Sequence, residues 1–559
     1  TTGDNNTAIG HDAGQALTSG PQNVLIGNKA GFALTTGGQN IAIGNSALST
    51  EDGHGSNVAI GHEALEDLNA GQQGFNVAVG HAAGKQMTTG TKNTIVGGLS
   101  GDALTVGHGN TAIGYGALTT SVDGDNNTAI GHLALEDYED GDGNGHNTAV
   151  GSRSQLNATT GEFNTSLGGL SMGAGITTAD YNVALGYSAG LNVTSGAQNT
   201  LIGGLAGDAL TTGAYNVAVG VNALGAEDSG SGNIAIGRKA LAALNYDGFA
   251  YNTAVGYQAG KSVTTGAQNI LIGGIAGDAL TTGSDNIAIG VDALGAEVVG
   301  GRNVAIGRYA LQDLNTDNNA YNVAIGHAAG ADMTTGVQNV LIGGLTGDAL
   351  TTGSSNVAIG YNSLSVEDAH GRNVAIGSNT LSNLDAGADA YNVAVGYNAG
   401  LSVSTGVENT IIGGLAGDSL TTGARNIAIG TGALSTEDEH GRNVAVGWNS
   451  LPSLNAGGDA YNTAVGYNTG AALTTGAANT VLGGKAGDAL TTGTGNTAVG
   501  YQALSTEDAH GKNTAIGYNA LVVQDAGVDA YNTAIGYDAG VSVTTGDQNT
   551  LIGGAAGDA

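Results

Sequence analysis

One pattern of polar and apolar positions recurs along the chain: Asn, a β-branched residue, a mostly small residue, a β-branched residue or Leu, and Gly. It occurs 32 times, first at Asn6–Gly10 and last at Asn549–Gly553. Of the 31 intervals between successive Asn residues, 23 have the length of the interval from Asn6 to Asn23, and six have that of the longer interval from Asn57 to Asn76. The remaining two have other lengths and lie within residues 127–182. So short a unit, copied end to end, predicts a solenoid in which each repeat stacks on its neighbours.

Each repeat is predicted to form one rung of that solenoid. The alternating Thr-Ala-Val that follows Asn496 is typical of a short strand, and a second apolar segment ends at Leu504. The commonest step is too short for a strand, a helix and two loops, so we expect two short strands and two turns. The predicted fold class is therefore all-β, a parallel β-solenoid of about 32 rungs forming one continuous array over residues 1–559.

Stacking would place equivalent residues of successive rungs above each other at about 4.8 Å, which predicts a rod about 150 Å long. The Asn column would hydrogen-bond between rungs, or Asn would serve as a turn former, and both interpretations remain open. The paired Gly indicates a bend with positive φ or a crowded approach. The ladder positions that we predict include Asn252, Gly256, Asn322, Gly326, Asn392, Gly396, Asn462 and Gly466.

A longer period groups the rungs in fours. The first rung follows Ala-Tyr, the second contains Gly-Gly, the third often contains Glu-Asp, and the fourth has a longer loop; residues 127–182 are irregular. In the second rung the residue two after Asn becomes large, as at Leu341, while the residue after the pattern's Gly becomes Gly, as at Gly344. We expect these two changes to compensate for each other within a shared space.

The strands are apolar on both faces, with β-branched residues on one face and mostly Ala on the other. One chain folded as a two-layer solenoid covers only one of these faces, so the pattern predicts that other copies cover the second. We expect a homo-oligomeric rod, with three copies favoured, in which the row of small Ala side chains allows neighbouring chains to approach closely.

Composition narrows the function classes. With 47 acidic and 14 basic residues the net charge is −33, which argues against a nucleic-acid partner. There is no Cys, and no apolar run approaches the roughly 20 residues of a membrane span, so this segment is not expected to insert into a membrane. No cofactor is predicted beyond weak calcium binding by surface acids. Because the chain begins and ends inside the repeat, we expect it to belong to a longer fibre.

The repeats resemble those of a known group of proteins. Asn496-Thr-Ala-Val-Gly-Tyr-Gln-Ala-Leu504, with turns such as Thr281-Thr282-Gly283, is similar to repeats of phage-like tail fibres and to the head repeats of trimeric autotransporter adhesins. The resemblance covers essentially the whole chain. It implies a left-handed parallel β-roll, a homotrimer, and an extracellular, cell-surface or virion-surface location. The rungs of this chain are longer than those of the adhesin heads, so the trimer geometry is expected to differ.

Few residues stand out as candidates for chemistry. Glu437, Asp438 and His440 of a third rung form a possible metal cluster, although a solvated loop explains them as well. No Ser-His-Asp set, phosphate loop or pair of carboxylates in a singular cleft stands out, so we predict no enzyme. The sequence predicts the structural shaft of a fibre. The alternative is an adhesive array that binds surface glycans through fourth-rung loops, around residues 315–320 and 385–390.

Overall fold

The computed structural model describes residues 2–139 and 144–558, and it places them in two compact units, Thr1–Gly283 and Ser284–Ala559. Each unit contains sixteen strands among its described residues, every strand being three residues long. Each strand consists of the three residues between the repeated Asn and Gly, where β-branched side chains favour an extended backbone.

The strands of the first unit are β1 (Thr7–Ile9), β2 (Val24–Ile26), β3 (Ile41–Ile43), β4 (Val58–Ile60), β5 (Val77–Val79), β6 (Thr94–Val96), β7 (Thr111–Ile113), β8 (Thr128–Ile130), β9 (Thr148–Val150), β10 (Thr165–Leu167), β11 (Val183–Leu185), β12 (Thr200–Ile202), β13 (Val217–Val219), β14 (Ile234–Ile236), β15 (Thr253–Val255) and β16 (Ile270–Ile272). Those of the second unit are β17 (Ile287–Ile289), β18 (Val304–Ile306), β19 (Val323–Ile325), β20 (Val340–Ile342), β21 (Val357–Ile359), β22 (Val374–Ile376), β23 (Val393–Val395), β24 (Thr410–Ile412), β25 (Ile427–Ile429), β26 (Val444–Val446), β27 (Thr463–Val465), β28 (Thr480–Leu482), β29 (Thr497–Val499), β30 (Thr514–Ile516), β31 (Thr533–Ile535) and β32 (Thr550–Ile552).

Within each unit, consecutive strands pair in parallel and in register. In the second unit, Val323, Ala324 and Ile325 pair with Val340, Leu341 and Ile342, and every other pair follows the same alignment. One strand per rung, each paired with its equivalent in the next rung, is the arrangement of a parallel β-solenoid. The predicted fold class is confirmed.

The prediction of a second strand in each rung is wrong. The segment after the Gly is a turn in which alternate residues are left-handed, as at Asn362 (φ 57°) and Leu364 (φ 52°). Asn362 N donates to the Gly344 carbonyl of the preceding rung at 3.1 Å, while Leu364 N donates to the Thr380 carbonyl of the following rung at 3.0 Å. The backbone is therefore hydrogen-bonded between rungs without being extended, a possibility that the apolar pattern alone did not reveal.

The Asn column hydrogen-bonds between rungs, as the first interpretation predicts. Asn322 N donates to Asn303 Oδ1 at 3.1 Å, and Asn322 Nδ2 donates to the Gly336 carbonyl at 2.8 Å. The left-handed residue is the one before Asn, Tyr321 (φ 54°), and not Asn itself. Equivalent bonds are made by the ladder residues Asn252, Asn392 and Asn462.

Both predicted reasons for the paired Gly hold at the same residue. Gly326 has φ 143°, and a Cβ there would lie 2.2 Å from the Gly343 carbonyl oxygen of the next rung. Gly256, Gly396 and Gly466 also have positive φ. A Cβ at these residues would lie 2.2, 2.5 and 2.7 Å from the nearest backbone atom of the next rung. Backbones of successive rungs meet closely here, and only glycine fits.

The interior is built from four positions of each rung, which lie two, seven, eight and eleven residues after Asn. In the rung of Asn322 these are Ala324, Ala329, Gly330 and Met333, all of them buried. The second of the strand's three residues is buried in each strand from β2 to β31, and the two flanking residues are only partly so.

The exposed face of the strand is the β-branched face, which corrects the prediction that the Ala row meets other chains. Ala358 and its equivalents are fully buried and form the core, whereas Ile234 and Ile236 remain 37% and 38% exposed. The small side chains are needed inside because the interior of so short a rung is thin. The apolar surface that is left uncovered is a strip of Thr, Val and Ile.

The predicted compensation between Leu341 and Gly344 is also wrong. Leu341 is buried, whereas a Cβ at Gly344 would make only an ordinary contact, 3.7 Å from the exposed Tyr361 ring, so the two positions share no space. The true partners of Leu341 are Gly330 and Gly347, where a Cβ would lie 2.8 and 2.9 Å from the Leu341 Cδ atoms. Third and fourth rungs have Leu at the position of Gly330 and Gly347, eight residues after Asn, and Ala in the middle of the strand. A large residue on the turn is therefore matched by a small residue on the strand.

Candidate functional site

A fully buried glutamate occupies the core of six rungs, and the sequence analysis did not recognise it as buried. It stands eleven residues after Asn, where most other rungs have Leu, Val or Met. The six residues are Glu51, Glu227, Glu297, Glu367, Glu437 and Glu507. The signal was available, because an acid here stands at a position of the repeat that is apolar in most other rungs.

Four of these carboxylates, those of Glu51, Glu227, Glu297 and Glu367, accept hydrogen bonds from backbone N–H groups of two successive rungs. Glu437 and Glu507 accept from a backbone N–H group of their own rung, and their Oε2 atoms are buried without a hydrogen-bond partner in the described part of the chain. Glu297 Oε1 accepts from Gly300 N at 2.7 Å and from Thr316 N at 3.2 Å, and its Oε2 accepts from Thr316 Oγ1 at 3.0 Å. Glu367 accepts from His370 N at 3.1 Å and from Ala386 N at 3.4 Å. The carboxylate thus connects the end of a third rung to the long loop of the fourth.

Burial raises the pKa of five buried glutamates, Glu227, Glu297, Glu367, Glu437 and Glu507. The pKa of Glu437 rises to about 7 because desolvation of the carboxylate outweighs the backbone N–H donors and the neighbouring His440. The pKa values of Glu227, Glu297 and Glu367 are raised for the same reason. These side chains therefore exchange protons closer to neutral pH than an ordinary glutamate does.

The predicted cluster of Glu437, Asp438 and His440 does come together. One potential ligand atom from each lies within 4.8 Å of the others, and His440 Nδ1 is 3.8 Å from Glu437 Oε1. However, Glu437 Oε1 accepts from His440 N at 3.3 Å, and Asp438 Oδ1 accepts from Glu439 N at 2.7 Å. These two oxygens already accept a backbone N–H group, whereas Glu437 Oε2 and His440 Nδ1 are buried without a hydrogen-bond partner among the described residues. Metal binding stays a prediction.

Similar clusters occur at three other third rungs. Their members are Glu51, Asp52 and His54; Glu367, Asp368 and His370; and Glu507, Asp508 and His510 with Asp525. Glu227 and Glu297 have a Gly in place of the His, so the buried acid is the common feature and the His is not.

The first predicted fourth-rung loop forms a cleft. About 260 Å³ of space is lined by residues 315–319 together with Thr335 and Val337. Amide, hydroxyl and carboxylate groups of this kind can both donate to and accept from the hydroxyl groups of a sugar. In the second predicted loop, residues 385–390, the Asp389 carboxylate pairs with Arg372 at 2.6 Å and accepts from Gly371 N at 3.1 Å.

Two columns of exposed aromatic side chains run along the surface. The sequence analysis noted the Tyr before Asn in the first rung but predicted no stacking. The first column is formed by the residues that directly precede the repeated Asn. In it the Arg372 guanidinium carbon lies over the Tyr391 ring, 5.4 Å from the ring centroid. The residue after the pattern's Gly gives stacked rings, such as Trp448 and Tyr467 with centroids 4.9 Å apart. Their signal was a Tyr that returns at one position in every fourth rung.

Comparisons with known proteins add no function. Neither a family model nor a curated protein matches the sequence. The resemblance to tail-fibre and adhesin repeats therefore stays a prediction. Among the residues that the structure describes, no helix is long and apolar enough to cross a bilayer.

Proposed function

We propose that the chain is the structural shaft of an extracellular or virion-surface fibre and catalyses no reaction. The observation that carries the proposal is the repetition of one mechanical unit: the same strand, Asn bond and Gly contact recur in rung after rung of both units. A fibre shaft requires stiffness along one direction and a length set by copy number, and stacked in-register strands supply both.

The exposed β-branched face supports the proposal that the shaft is an assembly of several copies, with a homotrimer favoured. Sixteen strands at about 4.8 Å, each about 10 Å wide, give each unit an uncovered strip of about 750 Å². A standard interface buries about 800 Å² on each partner. The strip is thus large enough for a stable interface, and apolar residues dominate it.

Mass measurement by light scattering tests this proposal. We expect the purified chain to have three times its mass of 54.3 kDa. The double variant Val357→Glu and Ile359→Glu places charges in the strip and should weaken assembly. The matched control, Thr352→Glu with Thr422→Glu, adds the same charge at exposed turn positions and should leave assembly unchanged. A monomeric mass for the unmodified chain at micromolar concentration would contradict the proposal.

A second candidate function is multivalent adhesion, which the cleft at residues 315–319 favours. Weak sites that recur in every fourth rung would add through avidity. The test is binding of the intact chain to arrayed glycans. Asn318→Ala with Asn319→Ala should reduce binding, and the same changes at Asn28 and Asn45, outside these loops, should not. Binding that is absent, or that is indifferent to the loop variants, would reject adhesion and leave the structural proposal intact.

A further inference from the structure

A cleft of about 290 Å³ opens on the first unit, in the irregular part of the repeat array. His132, Ser152, Arg153, Gly169, Leu170 and Tyr187 line it. All six stand at the two positions that follow the pattern's Gly, in four successive rungs. The cleft is therefore a local interruption of the outer aromatic column.

Two consecutive small residues create this interruption. Where the column is continuous, rings of adjacent rungs stack, as Tyr518 and Tyr537 do with centroids 5.3 Å apart. Here Ser152 and Gly169 separate His132 from Tyr187, so the two rings belong to rungs about 14 Å apart. A Cβ at Gly169 would lie 3.8 Å from both the Ser152 carbonyl oxygen and Tyr187 Cδ2. Neither the backbone nor a neighbour requires glycine, so Gly169 serves to leave space.

Arg153 supplies a cation at the wall of the cleft. Its backbone is held in place because Arg153 N donates to the His132 carbonyl at 2.9 Å. Other arginines of the chain, such as Arg372 and Arg425, pair with a carboxylate at 2.6 Å. For Arg153, no carboxylate of the described residues lies within 4 Å, and Glu136 interacts with it only at longer range. Its guanidinium is free to bind an anion from solution.

We propose that this cleft binds a carboxylated pyranose, a sugar acid of the hexuronate type. The Arg153 fork matches the two oxygens of a carboxylate. The electron-rich face of the Tyr187 ring, a side chain 63% exposed, attracts the electropositive C–H face of a pyranose. Ser152 Oγ, the His132 imidazole and the Tyr187 hydroxyl are suited to the sugar hydroxyls.

Other anions fit the site less well. An aromatic carboxylate would stack on Tyr187 but would leave the hydroxyl partners unused. A polyphosphate or nucleic acid needs several cations, whereas the cleft has one arginine in a chain of net charge −33. The volume of about 290 Å³ is sufficient for one sugar ring. This inference does not depend on self-association.

Calorimetry or ligand-observed NMR on the intact chain tests the inference with galacturonate, galactose and benzoate as probes. We expect galacturonate to bind, and Arg153→Gln or Tyr187→Ala to weaken its binding about tenfold each. Galactose should bind at least tenfold more weakly than galacturonate, and so should benzoate. Gly169→Tyr fills the cleft with a ring and should abolish galacturonate binding, while circular dichroism should show that the chain is folded.

The chain contains a matched control. Gly344 corresponds to Gly169 and is flanked by His327 and Tyr361, and Ala328 stands at the position of Arg153, so the cation is missing. Tyr361→Ala should leave galacturonate binding unchanged. The inference is overturned if galacturonate fails to bind, if Arg153→Gln has no effect, if Tyr361→Ala weakens binding as much as Tyr187→Ala does, or if benzoate binds as tightly as galacturonate.

Discussion

The buried Glu437 should make its part of the solenoid less stable as the pH rises. Its pKa is raised from 4.5 to about 7 in the folded chain, so between these values the folded state holds a proton that the unfolded state has released. Stability is therefore greatest below pH 4.5 and declines as the pH rises towards 7. At 1.36 kcal/mol per pKa unit the full difference corresponds to about 3 kcal/mol. Water reaches the partly exposed His440 beside it, which reduces the expected effect to about 2 kcal/mol.

Glu437→Gln tests this reasoning because the amide keeps the shape of the side chain and cannot ionise. At pH 8 we expect the variant to be more stable than the unmodified chain by about 2 kcal/mol, and at pH 4 the two should be equal. Amide hydrogen exchange in the rungs of β25 and β26 is the appropriate assay, since stacked repeats open locally instead of unfolding in one step. Exchange should be corrected for its intrinsic pH dependence.

Glu439→Gln is the matched control, because Glu439 is only two residues away and its backbone N–H, not its carboxylate, contacts the cluster. It should leave the exchange of these amides unchanged at both pH values. The reasoning would be refuted if the unmodified chain were equally protected at pH 4 and pH 8. It would also fail if Glu437→Gln altered protection by the same amount at both values, since that would be an effect of shape and not of charge.

Three further predictions concern the packing between rungs. Gly326→Ala should lower the free energy of unfolding by more than about 2 kcal/mol in chemical unfolding, because Gly326 has φ 143° and the new Cβ would meet the Gly343 oxygen. Gly344→Ala, at an open position, should change the free energy of unfolding by less than about 0.5 kcal/mol. Leu341→Ala should cost about 2–5 kcal/mol because it opens a cavity in the core, measurable in the same assay. Asn322→Ala removes the side-chain hydrogen bonds to Gly336 of its own rung and to Asn339 of the following rung, and should increase amide exchange in these two rungs by about tenfold or more.

The fold was predictable where the repeat restricted it most. The period, the parallel register and the Asn bonds follow from residues such as Asn322 and Gly326, because stacking repeats every local interaction. The second segment was mispredicted, because alternating left-handed residues such as Asn362 and Leu364 leave an apolar pattern that also suits a strand. The direction of the strand's two apolar faces was likewise ambiguous from sequence, since Ala suits both a thin core and a close interface.

The candidate sites were less predictable than the fold. Glu437 and His440 were recognised as neighbours, but the burial of the acid was missed because charge patterns were taken as surface features. The cleft around Arg153 arises from the absence of side chains at Ser152 and Gly169. Such a gap has no motif of its own, and it appears only when four rungs are stacked.

The packing of Leu341 against glycine in its own rung and in the rung before restricts how such a gene can grow or shrink. Removing residues 322–338 alone would place Leu311, from the same position of the preceding fourth rung, where Gly330 now makes room for Leu341. Removing or duplicating a complete set of four rungs would restore every neighbour, including the buried glutamate beneath its loop. We therefore expect natural length variants of this chain to differ by whole sets of four rungs, even though the single rung is the more visible period.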